Sequence, residues 1–310
     1  MAVAECLHAL GGEGWTFEGI VAQRDNSRIH RVRRGSRTAA VKECLDRTSR
    51  APDSEAASRE YDALTAVADK SAARGDRSLA PRPLTLCRER AAYAMTWASG
   101  RTATEIVLAH STPMDRAEEL GEIAGGWLRR FHACMELSVR TNDFATRLDF
   151  ISELARTIRD RDHSLTRAAR VLIERASDAA NVLMPASWIH GDMKSDNLLV
   201  DADGVTGLDV QLADENTVAY DLAPFLNHLR LLRWSPRGLL RRPHLEAMSD
   251  GFLRAYSPNS GEWQLPLMWL RSYLLFQMVA NSAAGMSLRA LAAKWPARKE
   301  LASAIDWLDA

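Results

Sequence analysis

One octapeptide limits what this 310-residue chain can fold into more than any other stretch: His190-Gly191-Asp192-Met193-Lys194-Ser195-Asp196-Asn197. Trp188-Ile189 precedes it, Leu198-Leu199-Val200 follows, and Gly207-Leu208-Asp209-Val210 comes shortly after. Leu198–Val200 and Val205–Leu208 have the length and character of short strands. Asp201-Ala202-Asp203-Gly204 between them has the composition of a turn, so a hairpin is predicted. Such a hairpin sets Asn197 beside Asp209. An amide oxygen next to a carboxylate is a hard-oxygen donor pair of the kind Mg2+ prefers. Asp192 then stands as a carboxylate able to take a proton from an alcohol. Metal ligands, neutralised phosphate charge and an orienting base are what phosphoryl transfer from a nucleotide requires.

Composition narrows the partners. Forty basic residues offset forty acidic ones, so no net field draws the chain to nucleic acid or to a membrane surface. Cys6, Cys44, Cys87 and Cys134 lie far apart and form no C-x-x-C pair, which fits reduced thiols in a cytoplasmic protein. Met1–Leu10 contains Glu5 and lacks the basic-then-apolar order of a secretory leader. The most apolar window, Leu265–Ala280, is broken by Arg271, Ser272 and Gln277. It is short of the roughly 20 residues a bilayer span needs, so it reads as a buried helix and no transmembrane segment is expected. The oligomeric state is open.

The first hundred residues alternate strand-like runs with turns. Trp15–Val21, Arg28–Arg33 and Thr38–Leu45 are predicted strands, the first two joined by the polar loop 22–27. Pro52-Asp53-Ser54-Glu55 opens a helix that runs past Glu60 and Leu64. Leu84–Cys87 and Ala91–Trp97 are two further strands. From residue 113 the period becomes helical: Ala117–Leu137 is one amphipathic helix, with others around Leu148–Ile158, Val171–Leu183, Asp221–Arg233, 244–256 and 265–284. The expectation is an α+β chain in two domains. Residues 1–98 form a small antiparallel-sheet lobe with one helix, and residues 99–310 form a larger, mainly helical lobe, with Gly100 near the boundary.

His190-Gly191-Asp192 with Asn197, followed by Gly207-Leu208-Asp209, resembles the aminoglycoside phosphotransferase/choline kinase family, whose members are small-molecule kinases with a bilobal protein-kinase-like fold. The likeness is strongest from Trp188 to Phe225. It implies ATP and Mg2+ as cofactors, with nucleotide between the lobes and acceptor over the helical lobe; nothing in the hinge excludes GTP. It implies Asp192 as the catalytic base and Asn197 and Asp209 as metal ligands. Lys42, on Ala40-Val41-Lys42, matches the lysine on the α- and β-phosphates. Glu60 matches its helix partner, with Glu55 as the competing candidate. Asn26 and Ser27 take the place of a glycine-rich phosphate loop. Met95 and Trp97 match the adenine hinge, and Asp221 matches the acid that braces the catalytic loop. His132 and His190 take structural or orienting roles. Lys194 departs from the family's usual residue; it occupies the place of a lysine that protein kinases use on the γ-phosphate, and so joins Asp192 as a catalytic candidate.

Only eleven residues separate Asp209 from Asp221, too few for a long activation segment. A small-molecule hydroxyl acceptor (an amino sugar, sugar or amino alcohol) is therefore expected. A catalytically silent nucleotide-binding regulator and a kinase acting on protein are the alternative readings. For a cationic acceptor, Asp214-Glu215-Asn216, Glu262 and a wall of Trp234, Trp263 and Trp269 are candidates. For an anionic one, the candidates are Arg230, Arg233, Arg237, Arg241 and Arg242. The two classes stay open on sequence.

Overall fold

The computed structural model describes residues 6–8, 14–75, 79–158, 162–202, 204–212, 214–257, 260–283 and 295–310. Most of Met1–Leu10, Asp203 of the expected turn and residue 284 of the expected last helix lie outside them. The chain packs as two compact units. One comprises Met1–Thr102 with Asn197–Leu212, the other Ala103–Asp196 with Ala213–Ala310. A boundary drawn at 98/99 leaves Asn197–Leu212 with the helical part; in the structure this segment packs with the N-terminal strands.

The first unit is built on a five-stranded antiparallel sheet, ordered β1 (Thr16–Gln23), β2 (Ser27–Arg34), β3 (Arg37–Cys44), β5 (Ala92–Thr96) and β4 (Pro83–Cys87). The central strand β3 is buried on both faces, and its period of two sorts the side chains. Ala39 and Val41 join Val32, Ala92 and Ala94 in one core cluster. Ala40 and Cys44 join Ala57, Leu64, Tyr93 and Met95 in the other, beneath helix α1 (Ser54–Ala73). Lys42 shares parity with Ala40 and Cys44 and therefore belongs to the helix-covered face. Asp53 caps α1 by accepting from the Ala56 amide at 2.8 Å. Ala57, Glu60 and Leu64 then fall on one stripe of the helix, at the spacing that faces a sheet.

A second, three-stranded sheet places the expected hairpin, β9 (Leu198–Val200) and β10 (Val205–Gly207), beside β6 (Arg101–Thr102). The Gly207 amide donates to Leu79 O at 3.0 Å, tying the hairpin to the chain ahead of β4.

The second unit is mainly helical: α2 (Ala103–Val107), α3 (Met114–Cys134), α4 (Ala145–Ile158), α5 (His163–Ala180), α6 (Ala219–Leu232), α7 (Pro236–Leu240), α8 (Arg242–Tyr256), α9 (Gln264–Ala283) and α10 (Trp295–Asp309). Helices α3 and α8 approach so closely that a Cβ at Gly121 would stand 2.1 Å from Met248 O. Phe225 and Phe252 stack at 3.9 Å within this core, where Trp127 and Phe131 also stack. A small sheet of β7 (Ser138–Arg140), β8 (Met184–Trp188) and β11 (Glu215–Thr217) stands among the helices. These strands of three to five residues are too short to show a period, and α10 was likewise not anticipated. Among the described residues, no helix is long and apolar enough to cross a membrane.

Candidate functional site

In the second unit, β8 leads straight into His190. The next residue, Gly191, has φ +87°, a conformation glycine adopts without strain, and the chain turns there. Asp221, at the start of α6, is fully buried and collects the loop's backbone: it accepts from His190 N at 2.7 Å and Gly191 N at 3.1 Å. His132 Nε2 lies 2.9 Å from the same carboxylate, and His132 Nδ1 lies 2.8 Å from Tyr256 Oη. Burial alone would raise the Asp221 pKa; hydrogen bonding from His132 and the charge and amide of His190 hold it below the usual carboxylate range. The His190 ring sits edge-on to Trp127 and against Phe131, both at 5.9 Å. Its Nδ1 accepts from Asp192 N at 3.3 Å, fixing the backbone that carries Asp192. Ser195 Oγ shares a 2.7 Å hydrogen bond with Thr104 Oγ1, pinning the far side of the loop.

Lys194 Nζ lies 2.6 Å from Asp192 Oδ2. The two residues line a cavity of about 480 Å³ whose wall includes Asn227, His228, Leu231 and Leu274. His228 Nε2 is 3.7 Å from Asp196 Oδ2. Burial, outweighing the pull of Asp196, keeps its imidazole pKa below the ordinary histidine value.

In the first unit, Lys42 bridges two carboxylates: Nζ is 2.8 Å from Glu60 Oε2 and 2.8 Å from Asp209 Oδ1. Tyr93 Oη donates to Glu60 Oε2 at 2.9 Å. Burial would push the Lys42 pKa down, but Tyr93, Asp209 and Glu60 together carry it well above the usual lysine value. Lys42 is therefore charged at neutral pH. Of the two glutamate candidates, Glu60 meets Lys42; Glu55 is exposed and faces Arg59 at 3.6 Å. Asp209 has φ +55°, a left-handed conformation that Asp tolerates better than most residues. Asn197 is fully buried, and its carbonyl accepts from Leu208 N at 2.8 Å, joining the two ends of the hairpin that carry Asn197 and Asp209.

The loop between β1 and β2 contributes a residue the sequence reading passed over. Arg24 Nη1 lies 3.1 Å from Asp209 Oδ2, so the two oxygens of Asp209 each meet a cation. Arg50 secures the loop, donating to Arg24 O at 3.0 Å and pairing with Asp25 at 2.8 Å. Asn26 O accepts from Leu45 N, and Ser27 is buried at the start of β2 opposite Cys44. Ser27 is thus packed into the sheet, and Arg24 is the side chain of this loop that reaches Asp209. Met95 is buried on β5 opposite Ala40. Trp97 packs against the α1-covered core and carries the Arg31 guanidinium 4.8 Å from its ring centre.

The candidate aromatic wall does not form, because each of these tryptophans has its own partners. Trp269 is buried and stacks on Phe144 at 3.9 Å. Trp234 donates to Glu300 at 2.7 Å and faces Trp295. Trp263 packs near Tyr256. Glu215 is paired with Arg140. The arginine run is similarly engaged: Arg233 meets Glu300 at 2.9 Å, Arg241 is buried against the Val107 and Thr112 carbonyls, and Arg242 covers Trp234.

Among the described residues, no group of three or more His, Cys, Asp or Glu side chains is placed to hold a metal ion. Asn197 would offer a metal one amide oxygen, and Asp209, whose oxygens here meet Lys42 and Arg24, one carboxylate oxygen. That set suits Mg2+, which keeps waters and takes phosphate oxygens for the remainder of its octahedron.

The family model described as the phosphotransferase enzyme family matches residues 16–268. No curated protein matches the chain significantly. Similar solved structures include the aminoglycoside phosphotransferase APH(4)-Ia in a ternary complex with AMP-PNP and hygromycin B, at TM-score 0.60 and 14% identity, covering 99% of this chain and 98% of that one. Amicoumacin kinase hAmiN in complex with AMP-PNP, Ca2+ and Ami has TM-score 0.55 and 13% identity, over 94% and 88%. Plasmodium vivax ethanolamine kinase has TM-score 0.55 and 12% identity, over 94% and 82%. At these identities the likeness is one of fold, the protein-kinase-like fold of small-molecule kinases. The family match begins at β1 and ends within α9, taking in Lys42, Asp192, Asn197 and Asp209. The chain belongs to the phosphotransferase enzyme family.

Proposed function

We propose that the protein is an ATP- and Mg2+-dependent kinase that transfers the γ-phosphate to a hydroxyl of a small molecule, with Asp192 as base. Asp192 on the wall of a cavity, its backbone held by His190 and its carboxylate beside Lys194, is the observation that carries this reading. In the reaction the acceptor oxygen bonds to the γ-phosphorus as the bond to the β–γ bridging oxygen breaks. ADP leaves, and the hydroxyl proton passes to the Asp192 carboxylate. Lys194, a compact cation beside the base, would meet the charge on the transferred group.

The ammonium of Lys42 would hold the α- and β-phosphates, positioned by Glu60. Asn197 and Asp209 would hold Mg2+, which supplies charge neutralisation on the phosphates when bound. Asn26, Ser27, Met95 and Trp97 are proposed to line the nucleotide; GTP is the alternative donor. The similar structures that contain AMP-PNP support a nucleotide site of this kind. A division of labour between residues 1–98 for nucleotide and 99–310 for acceptor belongs to the same proposal, with Asn197–Leu212 contributing from the hairpin. So does a cytoplasmic location, where ATP is supplied and where the four free cysteines stay reduced.

The test is phosphate transfer from labelled ATP to a panel of amino sugars, amino alcohols, sugars and sugar phosphates. The expected result is transfer by the native enzyme, and loss of turnover in Asp192→Asn with ATP affinity retained. Near-normal turnover in that variant would remove Asp192 from its role.

A further inference from the structure

The cavity beside Asp192 has a lining that selects its occupant. Its walls are largely apolar, formed by Pro224, Leu231, Leu274, Leu275 and Met278. Among the described lining residues the charged ones are Asp192 and Lys194, and these are bound to each other at 2.6 Å. The remaining polar groups, Asn227, His228 and Gln277, carry no charge at neutral pH.

Asn227 is fixed at both ends of its amide: Nδ2 donates to Arg271 O at 2.9 Å, and Oδ1 accepts from Arg271 Nε at 3.1 Å. Behind Asn227 therefore stands the partly buried guanidinium of Arg271. Burial lowers the Arg271 pKa to about 10, with repulsion from Arg230 and Arg233 opposed by the pull of Glu300. A polycationic acceptor entering here would meet one lining carboxylate, already bound to Lys194, and the Arg271 guanidinium behind Asn227. Burying ammonium groups without partners is strongly unfavourable. A phosphorylated acceptor fares no better: Lys194 is paired with Asp192 and, in the proposed reaction, faces the transferred phosphoryl group, while Arg271 is held by Asn227. An apolar wall with a few fixed neutral hydrogen-bonding groups suits an uncharged ligand with a hydrocarbon surface.

We propose that this cavity is the acceptor site, and that the acceptor is an uncharged polyol or alcohol with an apolar face rather than a polyamine or a phosphorylated sugar. The proposal rests on Asp192 being the base that meets the acceptor.

Three probes separate the classes: octyl β-glucoside below its micellar concentration, the polycationic amino sugar kanamycin, and glucose 6-phosphate. Binding of each is measured by titration calorimetry with Mg2+ and a non-hydrolysable ATP analogue present, and transfer from ATP is followed by phosphorus NMR. The glucoside is expected to bind, and to be phosphorylated with kcat/KM roughly tenfold or more above either charged probe. Leu274→Trp fills the cavity and is expected to weaken glucoside binding by about tenfold, while retained ATP binding reports an intact fold. Glucoside binding that is absent, or unchanged in Leu274→Trp, overturns the proposal. So does a charged probe preferred by the same margin. Leu274-dependent glucoside binding with no phosphate passed to any probe would uphold the cavity's selectivity and count against the kinase reading instead.

Discussion

Lys42 and Asp209 are 167 residues apart in sequence and 2.8 Å apart in space. Strand parity turns Lys42 to the α1 face, and the hairpin at Leu198–Gly207 returns Asp209 to the same unit. One ammonium thus bridges two carboxylates, Glu60 and Asp209, whose further partners are Tyr93 and Arg24.

Lys42→Met keeps the length of the side chain and removes its charge. Glu60 retains Tyr93 and Asp209 retains Arg24, but the carboxylates lose their shared cation. The expected cost is about 3 kcal/mol, at the low end for a broken buried pair because both carboxylates are partly exposed. Urea unfolding measures it. ATP affinity should fall with it.

Arg24→Gln should behave differently. The Arg24 side chain is 47% exposed, and an exposed pair contributes roughly 0–1 kcal/mol, so unfolding should barely change. Its position on Asp209, in the loop expected to meet phosphate, predicts a higher KM for ATP and a weaker dependence of ATP binding on salt. An unaltered KM at low ionic strength would assign Arg24 to the surface.

Much of this arrangement was legible because it follows from local rules. The His-Gly-Asp turn marks the loop, and the motif offers Glu60 with Glu55 left open; the Lys42–Glu60 contact of the folded chain decides between them. Arg24 was missed because an arginine in a polar loop has no local signature; only the distant Asp209 gives it a partner. The packing of Asn197–Leu212 with the N-terminal strands is likewise a long-range fact, mediated by a two-residue strand, β6, too short to show a period. The tryptophans show the same limit: composition leaves an aromatic wall and core packing both open, and only the fold turns Trp263 to Tyr256 and stacks Trp269 on Phe144.

Asp221 links the His190–Asp192 loop to acid stability. Its folded pKa lies below its unfolded value of about 3.9. The ionised carboxylate therefore stabilises the fold fully above that unfolded value, and the contribution disappears as pH falls through the folded one. Asp221→Asn should be less stable than the native protein at pH 7, and should lose less further stability between about pH 4 and pH 2. Turnover should fall as well, because the His190 and Gly191 amides lose a charged acceptor. Unfolding midpoints that track the native protein across that acid range would contradict the account.

Lys194 and Asp192 invite a comparison of two single changes. If Lys194 acts on the transferred phosphoryl group, Lys194→Ala should lower kcat by about tenfold to a hundredfold with little change in the KM for ATP, since the charge it meets develops during transfer. Lys194→Arg, which keeps a cation but spreads it over a planar fork, should recover part of the loss. Asp192→Asn should be far more severe, because an amide cannot take the acceptor's proton. Steady-state kinetics on the three variants, with ATP and acceptor varied separately, distinguishes these outcomes. A Lys194→Ala enzyme that raises the acceptor KM while keeping kcat would place the lysine in acceptor binding instead.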